Sequence, residues 1–269
     1  MSDLERINPE TVTRARQGMN QPESLRNSID NPGRTKLTDL SAERKAKWLI
    51  EVNLDSRFSG ATFETFDKKA QPRAAEKSME FAAACLNTTE DSLALVLSSA
   101  IYGSGKTHLL AAIAHRIIEQ SEAAYLANYS DGSITYNLQT TKYRPCPVYY
   151  VNETDLLSRI RGAYDRDSQD NELDIYTRLN KYPLLLIDDV GKVRARDSSF
   201  TQQVYYRLVE YRWSNYKHIA LASNLVDSGL EDYIGGAVSS RLAQMTQGKY
   251  YLTLTGDDYR LKGSKGKRS

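Results

Sequence analysis

One stretch of the chain carries most of its legible chemistry: Ala100-Ile101-Tyr102-Gly103-Ser104-Gly105-Lys106-Thr107, followed by His108. Gly103 and Gly105 let backbone N–H groups turn inward around phosphate oxygens. Lys106 then reaches the β and γ phosphates, and the Thr107 hydroxyl is a magnesium ligand. The run HLLAAIAHRII that follows reads as a helix, whose N-terminal dipole favours the same anions. Residues 100–108 are therefore the candidate binding site for ATP and Mg2+, with Ala100 where such loops carry their first glycine. The plain alternative is a chance glycine turn. A strand pattern before the loop and a helix pattern after it argue against that.

Four other residues fit the same chemistry. Asp188 and Asp189 close the apolar run LLLI. A carboxylate at the end of a buried strand is costly without a counter-charge, and a magnesium ion held through water supplies one. Asp188 is thus the candidate metal residue beside Thr107, and Asp189 the candidate general base for the attacking water. A pair of acids capping a loop is the plainer reading. Asn224, after another apolar run, can position that water near the γ-phosphate; alone, an asparagine there reads as a turn residue. Arg241, in GGAVSSRLAQM, is by itself a solvated helix residue, but an arginine from a neighbouring subunit can neutralise the charge of phosphoryl transfer. Lys106, Asp189, Asn224 and Arg241 form the candidate catalytic set.

These residues need a scaffold that brings strand ends together. Apolar runs at 93–97, 148–151, 184–187, 218–222 and 250–254 read as strands buried on both faces. Helical spacing separates them, notably Leu156, Leu157, Ile160, Ala163 and Tyr164 after a Thr154 cap, and Phe200, Val204, Leu208 and Tyr211. Residues 230–245 read as one or two helices. Such alternation implies an α/β fold with a five-stranded, mostly parallel sheet between helices, and ligands at the carboxyl ends of its strands. Before the first strand, Ala75, Met79, Ala82, Ala83 and Leu86 share one side of a helix over 71–86. Ser41 caps an earlier helix bearing Trp48, Leu49 and Val52. Residues 1 to about 40, broken by three prolines, read as a mobile or loosely helical arm. The polar stretch 120–146 reads as a hairpin or loop insertion, and 165–172 as a loop.

Composition narrows the classes. The 269 residues are 40% hydrophobic, which permits a sizeable core, and 36 Lys and Arg against 34 Asp and Glu leave a net charge of +2. A general polycation is excluded, so nucleic-acid contact must come from a local patch. Two distant cysteines, Cys85 and Cys146, exclude a disulfide scaffold and a four-cysteine zinc site. No apolar run approaches a membrane span and the N-terminus has no signal-peptide pattern, so a cytoplasmic location and no membrane partner are expected.

The segments RFSGATFETF (57–66), GSGKTHLLAAIA, VYYVNETDLLSRIRGAYD, LLLIDDVG, LASN, SSRL and GDDYRLKG (256–263) together resemble the AAA+ ATPases of the DnaC/IstB group. The resemblance implies a P-loop AAA+ (ASCE) core without a C-terminal lid domain. It implies a homo-oligomer, ring or spiral and hexameric, with ATP between subunits. Lys106 and Thr107 match the family's Walker A residues, Asp188 and Asp189 its Walker B, Asn224 its sensor 1, and Arg241 its finger supplied in trans. Thr62 and Phe63 fall where the family's leading segment approaches the adenine. Asp189 stands where glutamate is commoner, which suits slow hydrolysis and a switch rather than a motor.

The expected function is an ATP-dependent helicase loader. In this reading residues 1–57 form an arm that binds a DnaB-type replicative helicase, 58–263 the ATPase domain, and 264–269 a basic tail. Single-stranded DNA is the expected nucleic acid, with Lys192, Arg194 and Arg196 as candidate contacts. A second reading is an IstB-like transposition helper that binds duplex DNA and a transposase. A third, a P-loop kinase, leaves Asp189, Asn224 and Arg241 without a joint purpose.

Overall fold

The computed structural model describes residues 32–88, 90–130, 145–164, 171–192 and 198–259. Expectations that fall on residues 1–31, 131–144, 165–170, 193–197 and 260–269 lie outside the described residues; they include most of the arm, Arg194, Arg196 and the basic tail. Contacts divide the chain into two units, Met1–Leu40 and Ser41–Ser269. In the first, the described residues 32–40 are helical. The second begins before the expected boundary at 57/58.

The first helix, α1 (Pro32–Glu51), starts nine residues before Ser41, so Ser41 lies mid-helix and caps nothing. Proline suits the first helical turn, where its missing N–H has no intrahelical partner. Trp48 and Val52 are buried as expected, but Leu49 is 41% exposed and Arg44 is buried in its place, its guanidinium 5.6 Å above the Trp48 ring. Asn53 follows with φ +62 and ends the helix. Its side-chain amide donates to the Tyr150 carbonyl at 3.0 Å, and the Tyr150 N–H donates to the Val52 carbonyl at 2.8 Å.

The second helix, α2 (Pro72–Asn87), buries Ala74, Ala75, Ser78, Phe81 and Ala82. Its apolar face is turned from the expected one: Phe81, the largest apolar side chain on it, sets the orientation, and Ala83 is exposed. Then strand and helix alternate. β1 (Ala94–Ser98) leads to α3 (Lys106–Ser130), and β2 (Val148–Asn152) to α4 (Glu153–Gly162). The α3 helix runs through residues 120–130, which a hairpin or loop reading did not foresee. The cap of α4 is Asn152, whose side chain accepts the Thr154 N–H at 3.0 Å; Thr154 itself is inside the helix. Leu156, Leu157 and Ile160 are buried, whereas Tyr164 is 58% exposed beyond the helix end.

A helix that the sequence reading passed over, α5 (Glu172–Asn180), precedes β3 (Leu184–Val190). Asn171 caps it, accepting the Asp174 N–H at 2.9 Å, and Ile175, Tyr176 and Leu179 are its buried face. Next come α6 (Ser198–Ser214), β4 (His218–Ser223), α7 (Ser228–Ile234), α8 (Gly236–Met245) and β5 (Tyr251–Thr253). The two readings of 230–245 thus resolve as two helices. On α6 the buried face is Val204, Tyr205, Leu208 and Val209, and Tyr211 is 38% exposed.

The five strands form one sheet in the order β2-β3-β4-β1-β5, and every pairing is parallel. β1 and β4 are buried along their whole length, which a parallel sheet covered on both faces requires. The order sets the carboxyl ends of β1, β4 and β3 side by side, and Lys106, Asn224, Asp188 and Asp189 lie at or just beyond those three ends.

Candidate nucleotide site

Ser99 links the end of β1 to the end of β4, its N–H donating to the Ser223 carbonyl at 3.1 Å. From there the loop turns sharply. Gly103 and Gly105 have φ of +68 and +96, a region that costs L-residues with side chains. A Cβ on Gly105 would also come within 2.7 Å of the Phe66 ring, so close approach as well as conformation demands glycine there. Lys106 is buried at the first turn of α3, and its Nζ donates to Ser104 Oγ at 3.1 Å and to the Ile101 carbonyl at 3.2 Å. The ammonium is therefore curled over the mouth of the loop, where phosphate oxygens can replace the loop carbonyl.

The loop forms one wall of a cleft of about 340 Å3. Tyr102 to His108 line it, with Asp189 and Asn224 at the strand ends and Tyr259 beyond. Ala100 and Ile101 are exposed and not part of that lining. The opposite wall is Phe58, Thr65 and Phe66. The segment expected near the adenine thus reaches the cleft, but through other residues than Thr62 and Phe63. Phe63 is buried in the core beneath the Arg116 guanidinium, 5.5 Å from its ring centre. The Thr62 carbonyl pairs with His108 Nε2 at 2.9 Å, which fastens the segment to α3. His108 also meets the Phe66 ring edge-on at 5.3 Å. Phe58 and Phe66 bracket the segment in sequence, and their spacing was the available signal. Tyr259 closes the cleft's side, its N–H donating to the Gly103 carbonyl at 3.2 Å.

Asp188 is buried at the end of β3. Burial pushes its carboxyl up; the hydroxyls of Tyr150 and Thr107 and the Asp189 N–H pull the other way. Tyr150 donates to Oδ2 and the Asp189 N–H to Oδ1, each at 2.8 Å. Asp189 has φ +58, an unusual conformation for a residue other than glycine. Its Oδ2 accepts the Asn152 amide at 3.2 Å and pairs with Lys192 Nζ at 2.9 Å. Neither Tyr150 nor Asn152 stood out in the sequence, because a tyrosine in a strand and an asparagine before a helix have ordinary structural uses.

Arg241 lies elsewhere. Its guanidinium carbon is 3.6 Å from the Trp213 ring centre, and it pairs with Glu210 at 3.4 Å and Gln244 at 3.1 Å. It lines a groove between α6 and α8, not the phosphate cleft of its own chain. The residues near Thr107 and Asp188 fit a magnesium ion: one hydroxyl and one buried carboxylate, with hydroxyl and amide donors holding the carboxylate's charge. Among the described residues no group of three or more His, Cys, Asp or Glu forms a further metal cluster, and no helix is long and apolar enough to cross a membrane.

A five-stranded parallel sheet with a glycine loop, an acidic pair and an asparagine at three neighbouring strand ends defines a P-loop nucleotide-binding fold of the AAA+ type. The comparisons agree with it. The chain is 22% identical over 232 residues to a replicative helicase loader DnaC from Buchnera aphidicola subsp. Schizaphis graminum, covering 85% of this chain and 82% of that protein. A second such loader, from the Acyrthosiphon pisum subspecies, is 24% identical over 170 residues, and the match spans 58% of its length. A crystal structure of the DnaC helicase loader superposes with a TM-score of 0.53 at 20% identity, over 75% of this chain and all of that one. AMPPCP-bound DnaA from Aquifex aeolicus does so with a TM-score of 0.50 at 18% identity, over 80% of this chain and 56% of that one. No protein-family model matches the chain. In sequence the chain is similar to DnaC-type loaders, and its fold is theirs and that of DnaA.

Proposed function

We propose that this protein is an ATP-dependent loader of a DnaB-type replicative helicase on single-stranded DNA, acting as a homo-oligomer. The observation that carries this reading is the similarity to a DnaC loader along 85% of the chain. The cleft supplies the switch. The loop N–H groups and Lys106 bind the phosphates, and Phe58 and Phe66 offer flat apolar surfaces for a base. Thr107 and Asp188 hold the magnesium ion, which when bound neutralises charge on the phosphate oxygens. Asp189 accepts a proton from the attacking water, and Asn224 orients that water. Arg241, remote from its own cleft, is the group a neighbouring subunit would offer. Residues 1–57 are the proposed helicase-binding arm, of which 1–40 form a unit apart from the one that begins at Ser41.

The test is capture of the replicative helicase from the same cell by the full chain, with ATP and without. The expected result is an ATP-responsive complex that is lost in a chain starting at Ser41. A protein that binds ATP yet captures no helicase in either condition overturns the loader reading. In a separate ATP-binding measurement Lys106→Ala should lose the nucleotide, because it removes the ammonium held at the loop mouth.

A further inference from the structure

A buried carboxylate behind the cleft has no part in the reaction as read above. Glu153, the first residue of α4, has no exposed surface. Its Oε1 accepts the Tyr205 hydroxyl at 2.5 Å, and its Oε2 accepts the Tyr233 hydroxyl at 3.0 Å and the Gly191 N–H at 2.8 Å. One side chain thus joins four pieces of the fold: the start of α4, the turn after β3, α6 and α7.

The Gly191 bond is the informative one. Asp189 to Lys192 form a turn, closed by the Lys192 N–H on the Asp189 carbonyl at 3.1 Å. Both Asp189 and Gly191 have positive φ, +58 and +84. Glycine takes such a φ freely, but at Asp189 it is strained, and strain of this kind persists only where its surroundings over-determine it. Ser223 pins the turn from the β4 side, donating to the Val190 carbonyl at 2.8 Å. Glu153 pins it from the other. A buried carboxylate whose partners among the described residues are two hydroxyls and an N–H is a poor choice for stability alone, since a packed apolar side chain usually serves as well or better.

We propose that Glu153 is a positioning residue for Asp189: it fixes the turn that aims the Asp189 carboxylate into the cleft and ties that turn to Tyr233 of α7. Because α7 runs into α8, which carries Arg241, Glu153 joins the hydrolytic carboxylate to the helices that would face a neighbouring subunit. The proposal rests on the reading of the cleft as an ATPase site.

Glu153→Gln keeps the shape but leaves one acceptor oxygen for three donors, and its amide turns N–H groups toward donors. Tyr233→Phe removes the α7 tie and, with it, the hydroxyl's hydrogen bond with Thr201, but leaves all of Glu153 in place. Each full-length variant is compared with the parent protein in three measurements: hydrogen exchange at the Gly191 amide, ATP affinity, and kcat as a function of pH. For Glu153→Gln the expected result is lost protection at Gly191 and ATP affinity within about twofold of the parent. Its kcat should fall about 10-fold across the whole pH range, as small misplacements of a reacting group do. Tyr233→Phe should show the same pattern, weaker. Unchanged protection at Gly191 overturns the proposal. So does lost protection with parental kcat, or a kcat loss that the unfolded fraction accounts for. If the parent protein shows no turnover, the ATPase reading fails and this proposal with it; Gly191 exchange still reports whether Glu153 holds the turn.

Discussion

Asp189 and Asp188 are adjacent in sequence and differ in every physical respect. Asp188 is sealed in, its charge held by two hydroxyls and an N–H. Asp189 is half-exposed at the cleft and shared between Asn152 and Lys192. The buried one is suited to orienting an ion, the open one to receiving a proton. Asp189→Asn should therefore leave ATP binding intact and slow turnover by about 10²-fold or more, the usual contribution of a general base. Phosphate release and nucleotide binding, measured on the same preparation, check this; equal rates in variant and parent would remove Asp189 from the reaction. The two acids were legible because they close an apolar run. What holds them was not: Tyr150 and Asn152 meet them, and Glu153 meets the Gly191 N–H beyond them, only through tertiary contact, and each has a common structural use that hides its role in the sequence. Phe63 and Phe66 show the same limit: both are buried in the core, and only packing decides which of the two also lines the cleft.

The strands β1 to β4 were the most legible elements, because burial on both faces writes an unbroken apolar run; β5 differs from the expectation, with Tyr251 and Thr253 exposed on one face. Short helices were harder. The face of α5 is Ile175, Tyr176 and Leu179, three residues amid polar ones, a weak signal beside the acidic stretch before it. The face of α2 was displaced because alanines report orientation poorly and Phe81 reports it well. Packing also decides how α1 ends: Trp48 is 1% exposed, and Trp48→Ala should cost about 3–5 kcal/mol in denaturant unfolding. At the start of β4, His218 Nδ1 accepts the Leu93 N–H at 3.2 Å. Burial, then the Arg212 guanidinium, push its pKa down from 6.5 to about 4. Between those values the unfolded chain binds the extra proton, so this histidine lowers stability as the pH falls from 6.5 toward 4. Below that window both states are protonated and its contribution is constant. The effect is about 3 kcal/mol in all. Burial of Asp188 and Glu153 works in the opposite sense, so the clean measurement is a difference. His218→Asn should flatten the parent's fall in melting temperature across that window, and parallel curves would show that the histidine does not titrate there.

For the molecule as a whole, the separation of Arg241 from the cleft carries the most consequence. Among the described residues the cleft of one chain is lined by Lys106, Asp189 and Asn224 and by no arginine. Arg241 instead stacks flat on Trp213 and pairs with Glu210, a seat that orients it without using all its donors. An arginine placed in this way completes a second molecule's cleft if the chains assemble head to tail, which is the heterologous contact that generates rings and spirals. Arg241→Ala should then bind ATP as the parent does and lose turnover by about 10³-fold, the lower range for arginines that act on the γ-phosphate. Lys106→Ala should be inactive for the other reason, an empty cleft. In the proposed assembly each defect would sit on a different side of the shared site. Mixing the two variants in equal amounts should therefore restore turnover that neither has alone, because some interfaces then join an intact cleft to an intact arginine. If the mixture is as inactive as its parts while both variants still assemble, Arg241 serves its own chain or none, and the trans reading of the site falls.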